Sequence, residues 1–180
     1  SLDLASLPTI CQRTKSPVLV DLSVGEEREA MMLARAALAA GAREVVAIEI
    51  VPEAVEDAIR NARANGITNH TALCGDVGVV LREHRGSLPP PDVAIVDPPR
   101  GGLSGRAVRR ILELAPPTLV YVSRQPTTFA DNAARFVDGG YALAWVRPVA
   151  LFPPAPPLPA LARLPRSHGR ARPPRRRGLL

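Results

Sequence analysis

An acid follows a short apolar run in the middle of the chain, where Val93–Val96 leads into Asp97, Pro98 and Pro99. The run is typical of a strand that is buried on both faces of a parallel sheet. The two prolines lack backbone N–H groups, so they end the strand and hold Asp97 at its carboxyl edge. Open α/β sheets bind ligands at that edge, which makes Asp97 a candidate binding residue. By itself, the pattern fits a strand end with a solvated acid equally well.

Three further acids stand at or near the ends of predicted strands. Asp21 lies in a strand at 18–22, Glu49 in a strand at 45–50, and Asp76 follows a strand at 70–73. In dinucleotide-binding folds, the acid that ends the second strand hydrogen-bonds ribose hydroxyls. Together with Asp97, these carboxylates along one sheet edge predict a site for a nucleoside cosubstrate.

Strand and helix alternate along the chain. Pro52 is expected in the first turn of one helix, Ser104 as the N-cap of another, and Gly41 as a helix stop. Strands are predicted at 18–22, 45–50, 70–73, 93–96, 118–123 and 141–149, and helices at 26–40, 52–65, 77–84, 104–114 and 127–137. Alternating units of this kind require a parallel sheet with right-handed crossovers, so we expect a doubly wound α/β fold.

The composition excludes several classes of protein. The chain has 180 residues, enough for one domain with its own core, and 46% of them are hydrophobic. No apolar run approaches the roughly 20 residues of a membrane helix, and we expect a soluble protein without a membrane partner. Cys11 and Cys74 cannot form a disulfide framework, and no metal-ligand spacing occurs, so we expect no metal and a reducing, cytoplasmic setting.

The positive charge is concentrated at one end of the sequence. Residues 1–150 hold 16 Lys and Arg against 17 acids, whereas residues 151–180 hold seven arginines, eight prolines and no acid. Such a segment buries too little apolar surface to offset the entropy of ordering. We therefore expect a globular domain at 1–150 and a disordered basic tail at 151–180. A change of reading frame in a GC-rich gene would also produce a terminal segment rich in proline and arginine.

The sequence resembles a known family once these motifs are put in order. An Asp-Pro-Pro after a strand is similar to the loop of S-adenosylmethionine-dependent methyltransferases that act on nucleic-acid bases. Six segments resemble, in order and spacing, the catalytic domain of the RNA uracil-C5-methyltransferase family, over about residues 18–154. They are VDLSVG at 20–25, EVVAIEIVPEAVEDAIRNARANGI at 44–67, CGD at 74–76, VDPPRGGL at 96–103, YVSRQPTT at 121–128 and LFPP at 151–154.

The resemblance implies a Rossmann-like methyltransferase fold, S-adenosylmethionine as cosubstrate, and ribosomal or transfer RNA as partner. It implies that Glu49 binds ribose and Asp76 the adenine end, while Asp97 and its loop line a crevice shared by the methyl donor and the target base. The implied cosubstrate residues are Asp21, Gly25, Glu49, Asp76 and Asp97, and the implied substrate-crevice residues are Pro98, Pro99 and Arg100.

Three positions depart from the family pattern. The family has a second glycine two residues after Gly25, where this chain has Glu27, so we expect weak cosubstrate binding. The family's nucleophilic cysteine adds to uracil C6, and Arg124 occupies its position in Ser-Arg-Gln-Pro. Arginine stays protonated and is not a nucleophile. The family's glutamate base, seven residues after a phenylalanine, corresponds to Pro159, counted from Phe152.

Three functions remain open on these observations. The first is a divergent or truncated RNA uracil-C5-methyltransferase with impaired chemistry. The second is methyl transfer to an exocyclic amine or another heteroatom, whose lone pair attacks without a covalent step. The third is a non-catalytic remnant of the fold that binds RNA through its arginine tail. Cys74 as a substitute nucleophile is disfavoured, because a small buried cysteine is the common case.

Overall fold

A seven-stranded sheet forms the centre of the molecule. The computed structural model describes residues 42–123, 125–148 and 160–167, and the backbone of residues 18–21. The strands are β1 Val18–Asp21, β2 Val45–Glu49, β3 His70–Cys74, β4 Val93–Val96, β5 Thr118–Ser123, β6 Trp145–Pro148 and β7 Ala160–Pro165. Their order is β3-β2-β1-β4-β5-β7-β6. The five strands from β3 to β5 in this order are parallel to one another. Strand β7 pairs antiparallel with both β5 and β6.

Four helices connect the described strands. They are α1 Pro52–Ala64, α2 Val77–Glu83, α3 Gly105–Leu114 and α4 Pro126–Asp138. The connection from β2 to β3 runs along the sheet in the opposite direction to the later connections. Because parallel crossovers are right-handed, α1 lies on one face of the sheet and the other three helices lie on the opposite face. The predicted helix at 26–40 lies outside the described residues.

The predicted helix ends are confirmed where the structure describes them. Ser104 Oγ accepts a hydrogen bond from the Ala107 N–H at 3.1 Å and caps α3, as expected. Asp76 Oδ1 accepts from the Val79 N–H at 3.0 Å and caps α2. Pro52 occupies the first turn of α1, where its missing N–H has no intrahelical partner to lose.

The core lies on the side of the sheet that α2, α3 and α4 cover. All residues of β2 and β4 are buried, as their continuous apolar runs predict for strands covered on both faces. The largest side chains in the core include Tyr121, Phe136 and Ile111, from β5, α4 and α3. These contacts fix the helices against the sheet and so fix the loops at its carboxyl edge.

The expectation of a disordered tail from residue 151 is wrong for residues 160–167. Residues Ala160–Pro165 form β7 inside the sheet, and Leu164 and Ala162 are completely buried. The stretch from 160 to 164 is free of proline, so its backbone N–H groups can join two ladders. The proline and arginine content of residues 151–180 as a whole hides the short apolar run within that segment. Residues 149–159 and 168–180 lie outside the described part of the chain.

The sixth strand is shorter than predicted. It begins at Trp145, and Tyr141 instead forms an isolated bridge with Arg166 beyond the end of β7. The Tyr141 hydroxyl donates a hydrogen bond of 2.7 Å to the Pro116 carbonyl, and burial raises the pKa of Tyr141 to about 12 despite the nearby charge of Arg166. This contact ties the start of the β6 segment to the loop before β5.

We predict that Leu164→Ala lowers the free energy of unfolding by about 2–5 kcal/mol, because it leaves a cavity beside β5 in the core. The matched control is Leu143→Ala, since Leu143 is 45% exposed and its removal should cost less than about 0.5 kcal/mol. Urea unfolding followed by circular dichroism measures both. Equal, small losses for the two variants would show that residues after 159 are not part of the core.

Candidate functional site

The strand register brings two of the predicted acids to the same level of the sheet. Asp21 is paired with Ile48 on one side and with Val96 on the other. Glu49 and Asp97 are the next residues of their strands, so both lie one residue beyond Asp21 at the carboxyl edge. Glu49 is in turn paired with Cys74 of β3. Strand β1 lies between the two acids, as expected for the switch point of a doubly wound sheet.

Glu49 is buried, and one of its two carboxylate oxygens has no hydrogen-bond partner in the described part of the chain. Its side chain is 4% exposed, and its Oε1 accepts a hydrogen bond of 2.9 Å from the Val51 N–H. Its Oε2 is buried and has no hydrogen-bond partner within the described part of the chain. A buried carboxylate oxygen without a donor is costly, and the hydroxyl of a ligand would supply one. The geometry therefore fits the role in ribose binding that the sequence predicts for Glu49.

Asp76 lies at the same edge but already has a structural contact. One of its carboxylate oxygens caps α2, and Gly75 before it adopts a φ of +146° that favours glycine. The Gly75 N–H donates to the Glu49 carbonyl at 2.8 Å, which links the loop after β3 to the end of β2. The predicted contact between Asp76 and adenine remains a prediction.

The loop after β4 is a tight turn that exposes its third and fourth residues. Asp97 and Pro98 are buried, whereas Pro99 and Arg100 are exposed. The Gly102 N–H donates to the Pro99 carbonyl at 2.8 Å and closes the turn. Gly102 has a φ of +76°, and a Cβ built there would lie 2.7 Å from Asn132 Oδ1. Only glycine fits this position without displacing Asn132.

Helix α4 fixes this loop through side chains that sequence reasoning missed. Asn132 is 5% exposed, and its Oδ1 accepts from the Leu103 N–H and from the Tyr121 hydroxyl, both at 2.8 Å. Its Nδ2 donates to the Leu103 carbonyl at 3.3 Å. Thr128 Oγ1 donates to the Arg100 carbonyl at 3.1 Å. An asparagine spaced to face inward on a predicted helix was the only available signal, and it is a weak one.

Comparison with solved structures supports the doubly wound fold that this geometry indicates. The chain aligns with a tRNA (uracil-54, C5)-methyltransferase of Pyrococcus abyssi in complex with S-adenosyl-L-homocysteine, with a TM-score of 0.65 and 24% identity over 89% of this chain and 38% of that one. An rRNA methylase of Streptococcus thermophilus aligns with a TM-score of 0.64 and 15% identity, over 93% of this chain and 95% of that one. The fold is that of the S-adenosylmethionine-dependent methyltransferases.

Relatives found by sequence are named as RNA methyltransferases. The chain is 47% identical over 113 residues to an uncharacterized RNA methyltransferase of Protochlamydia amoebophila, covering 62% of this chain and 25% of that protein. It is 40% identical over 154 residues to one of Gloeobacter violaceus, covering 86% and 32%. The chain thus spans about a quarter to a third of these relatives. No protein-family model matches. The predicted resemblance to RNA methyltransferases is confirmed.

Several predicted site residues lie in parts of the chain that the structure does not describe. Gly25, Glu27, Arg124 and Pro159 lie outside the described residues, as does the side chain of Asp21. The residues on either side of Arg124 are described, and Ser123 Oγ donates a hydrogen bond of 3.1 Å to the Gln125 carbonyl. Ser123 ends β5 at the carboxyl edge of the sheet, next to β4.

The expectation that Cys74 is buried is wrong. Cys74 is exposed at the end of β3, because β3 is the edge strand of the sheet. Three strand spacings of about 4.8 Å separate β3 from β4, so Cys74 lies roughly 14 Å across the sheet from Asp97. That separation argues against Cys74 as a nucleophile for a base held beside Asp97.

The described residues contain no group of three or more His, Cys, Asp or Glu side chains that could hold a metal ion. No described helix is long and apolar enough to cross a membrane. A cavity of about 340 Å³ lies between the carboxyl ends of α2 and α3, lined by residues that include Leu81, Arg85 and Leu114. It is at the opposite edge of the sheet and does not belong to the candidate site.

We predict that Asn132→Ala lowers the free energy of unfolding by about 1–3 kcal/mol, because it leaves the buried Leu103 N–H without its acceptor. Hydrogen exchange at the Leu103 amide should also become faster, since the loop after β4 loses its attachment to α4. Asp131→Ala, at the exposed neighbouring position, should change neither quantity. Unchanged exchange at Leu103 in Asn132→Ala would contradict the assigned positioning role.

Proposed function

We propose that this chain is the S-adenosylmethionine-binding domain of an RNA methyltransferase. The observation that carries the proposal is the buried Glu49 carboxylate at the carboxyl edge of a sheet in a methyltransferase fold, with one carboxylate oxygen that has no hydrogen-bond partner in the described part of the chain. S-adenosylmethionine supplies an electrophilic methyl group when it is bound. The activity and the RNA substrate are proposed on the similarity to RNA methyltransferases.

The residues at this edge would divide the cosubstrate among them. Glu49 Oε2 would accept hydrogen bonds from ribose hydroxyls. The next residue, Ile50, is 57% exposed and offers an apolar surface beside the carboxylate for the flat face of a base. Asp76 would meet the adenine end, and Asp97 would line the crevice towards the target base. Asp21 and Gly25 remain proposed contacts at the end of β1.

We predict that Glu49→Gln weakens binding of S-adenosylmethionine by roughly ten- to a hundredfold, the value of a hydrogen bond to a charged group. Glutamine keeps an oxygen for the Val51 N–H but removes the charge and the second acceptor. The control is Glu53→Gln on the exposed first turn of α1, which should bind like the wild type. Isothermal titration calorimetry measures all three proteins.

The same variants separate binding from folding. Glu49→Gln removes a buried charge without a ligand, so its free energy of unfolding should equal or exceed that of the wild type. A wild type that stays folded but binds neither S-adenosylmethionine nor its demethylated product at millimolar concentration would overturn the proposed function. Equal affinities for Glu49→Gln and the wild type would remove Glu49 from the site.

The resemblance to the uracil-C5 family proposes uracil C5 as the target within RNA, although the cysteine whose thiolate must first add to the base in that family is replaced by Arg124. We propose that Arg124 and Pro159 make that covalent route unavailable to this chain. Methyl transfer to an exocyclic amine needs no nucleophile from the protein, and the replacement of the cysteine by Arg124 favours it as the second candidate. The partner would be ribosomal or transfer RNA, and the cytoplasmic setting stays a prediction.

We predict that RNA containing 5-fluorouridine forms no covalent complex with this chain, because the position of the trapping cysteine is Arg124. Arg124→Cys should form a complex that survives denaturing electrophoresis, although without turnover, because Pro159 still replaces the base. A stable complex with the wild type that is lost in Cys74→Ala would show that Cys74 is the nucleophile.

A further inference from the structure

We infer that the phosphodiester backbone of a single-stranded RNA segment binds across three arginines on the outer face of α3 and α4. These residues are Arg106, Arg109 and Arg135, here called the arginine surface. All three are exposed. The inference rests on the proposed function for the identity of the partner, and it names a surface that lies outside the crevice around Glu49 and Asp97.

Packing brings the three arginines onto one continuous surface. Arg106 and Arg109 lie one turn apart on α3. The stem of Arg106 lies over Gly78 of α2, where an added Cβ would come within 2.8 Å of Arg106 Cγ. Arg135 reaches from α4 towards the first residue of α3, with its Nη1 3.6 Å from the position of a Cβ on Gly105. Arginines from two helices therefore meet around the start of α3.

The arginine surface carries charge that nearby acids do not neutralise. Two neighbouring arginines are paired, Arg82 with Glu83 and Arg110 with Glu113. The three arginines of the surface form no salt bridge with any residue that the structure describes. Asp131 lies one turn before Arg135 on α4, yet the two side chains do not pair. The surface thus has three positive charges that no salt bridge within the described part of the chain neutralises.

Folding alone does not explain this arrangement. The amino-terminal end of a helix carries partial positive charge, so Arg106 in the first turn of α3 and the guanidinium of Arg135 beside it are both placed unfavourably. The first turns of α2, α3 and α4 contain no acid, and the nearby acid Asp76 is the N-cap of α2, where its Oδ1 accepts a hydrogen bond from the Val79 N–H. Guanidinium groups bind phosphate in a bidentate manner, and a polyanion lying here would be stabilised by the arginines.

The position of the surface suits an RNA substrate. A single loop, residues 97–104, joins Asp97 in the crevice to the start of α3. From there, α3 extends for about 15 Å across the outer face. A strand whose target base enters the crevice would thus lay its adjacent phosphates over the arginine surface. Phosphate contacts of this kind position a strand without reading its sequence.

The test compares RNA affinity across a salt series in the full chain. Fluorescence anisotropy with a labelled single-stranded RNA is measured from 50 to 200 mM KCl for the wild type and for Arg106→Gln/Arg109→Gln/Arg135→Gln. Three lost phosphate contacts should make the slope of log affinity against log salt shallower by about 2. Over this range the wild type should therefore lose roughly sixteenfold more affinity than the variant.

Two controls isolate the surface. Arg43→Gln/Arg60→Gln/Arg63→Gln makes the same change in net charge with exposed arginines at or near α1, on the other side of the sheet, and should keep the wild-type slope. A chain that ends at Ser167 lacks the five arginines after it. In that background, the substitutions at the arginine surface should still change the slope by about 2.

The outcomes distinguish this inference from the proposed function. The inference is overturned if the wild type binds no RNA, if the arginine-surface variant keeps the wild-type slope, or if the control triple variant changes it equally. In each case, binding of S-adenosylmethionine that depends on Glu49 would leave the proposed function standing. If the chain that ends at Ser167 loses the dependence of RNA affinity on salt, while the substitutions at the arginine surface leave it unchanged, the RNA binds to the tail instead.

Discussion

The parallel pairing of β1 with both β2 and β4 is the interaction on which the rest of the structure depends. It sets Glu49 and Asp97 at one level, on strands that are neighbours of the same central strand. A shift of one residue in either ladder would turn the affected acid to the other face of the sheet. The buried apolar residues of β2 and β4 prevent such a shift, since it would expose the core. The position of the two carboxylates is thus a consequence of core packing.

The site also depends on contacts far from it in sequence. The loop after β4 has its own turn, closed at Gly102, but α4 holds it in place through Asn132 and Thr128. Helix α4 is in turn packed into the core by Phe129 and Phe136. Because β7 pairs with β5 and with β6, it completes the half of the sheet against which α4 lies. Residues beyond 159 therefore support the loop that begins at Asp97.

Much of this arrangement could be predicted from the sequence. The continuous apolar runs of β2 and β4 and the alternation of strand and helix predict the fold, because local patterns determine both. The position of Glu49 at a strand end is confirmed for the same reason. The strand β7 was missed because a proline-rich composition dominates its surroundings. The role of Asn132 was missed because a buried polar side chain shows its partners only when distant segments come together. The exposure of Cys74 depends on strand order, which local patterns do not determine.

A crystal structure of the chain with S-adenosyl-L-homocysteine tests the central claim most directly. The account predicts that the ribose hydroxyls lie within about 2.5–3.0 Å of Glu49 Oε2, with the base over Ile50. A ligand bound elsewhere, with Glu49 Oε2 accepting a hydrogen bond from another part of the chain, would contradict the assignment of this sheet edge as the cosubstrate site.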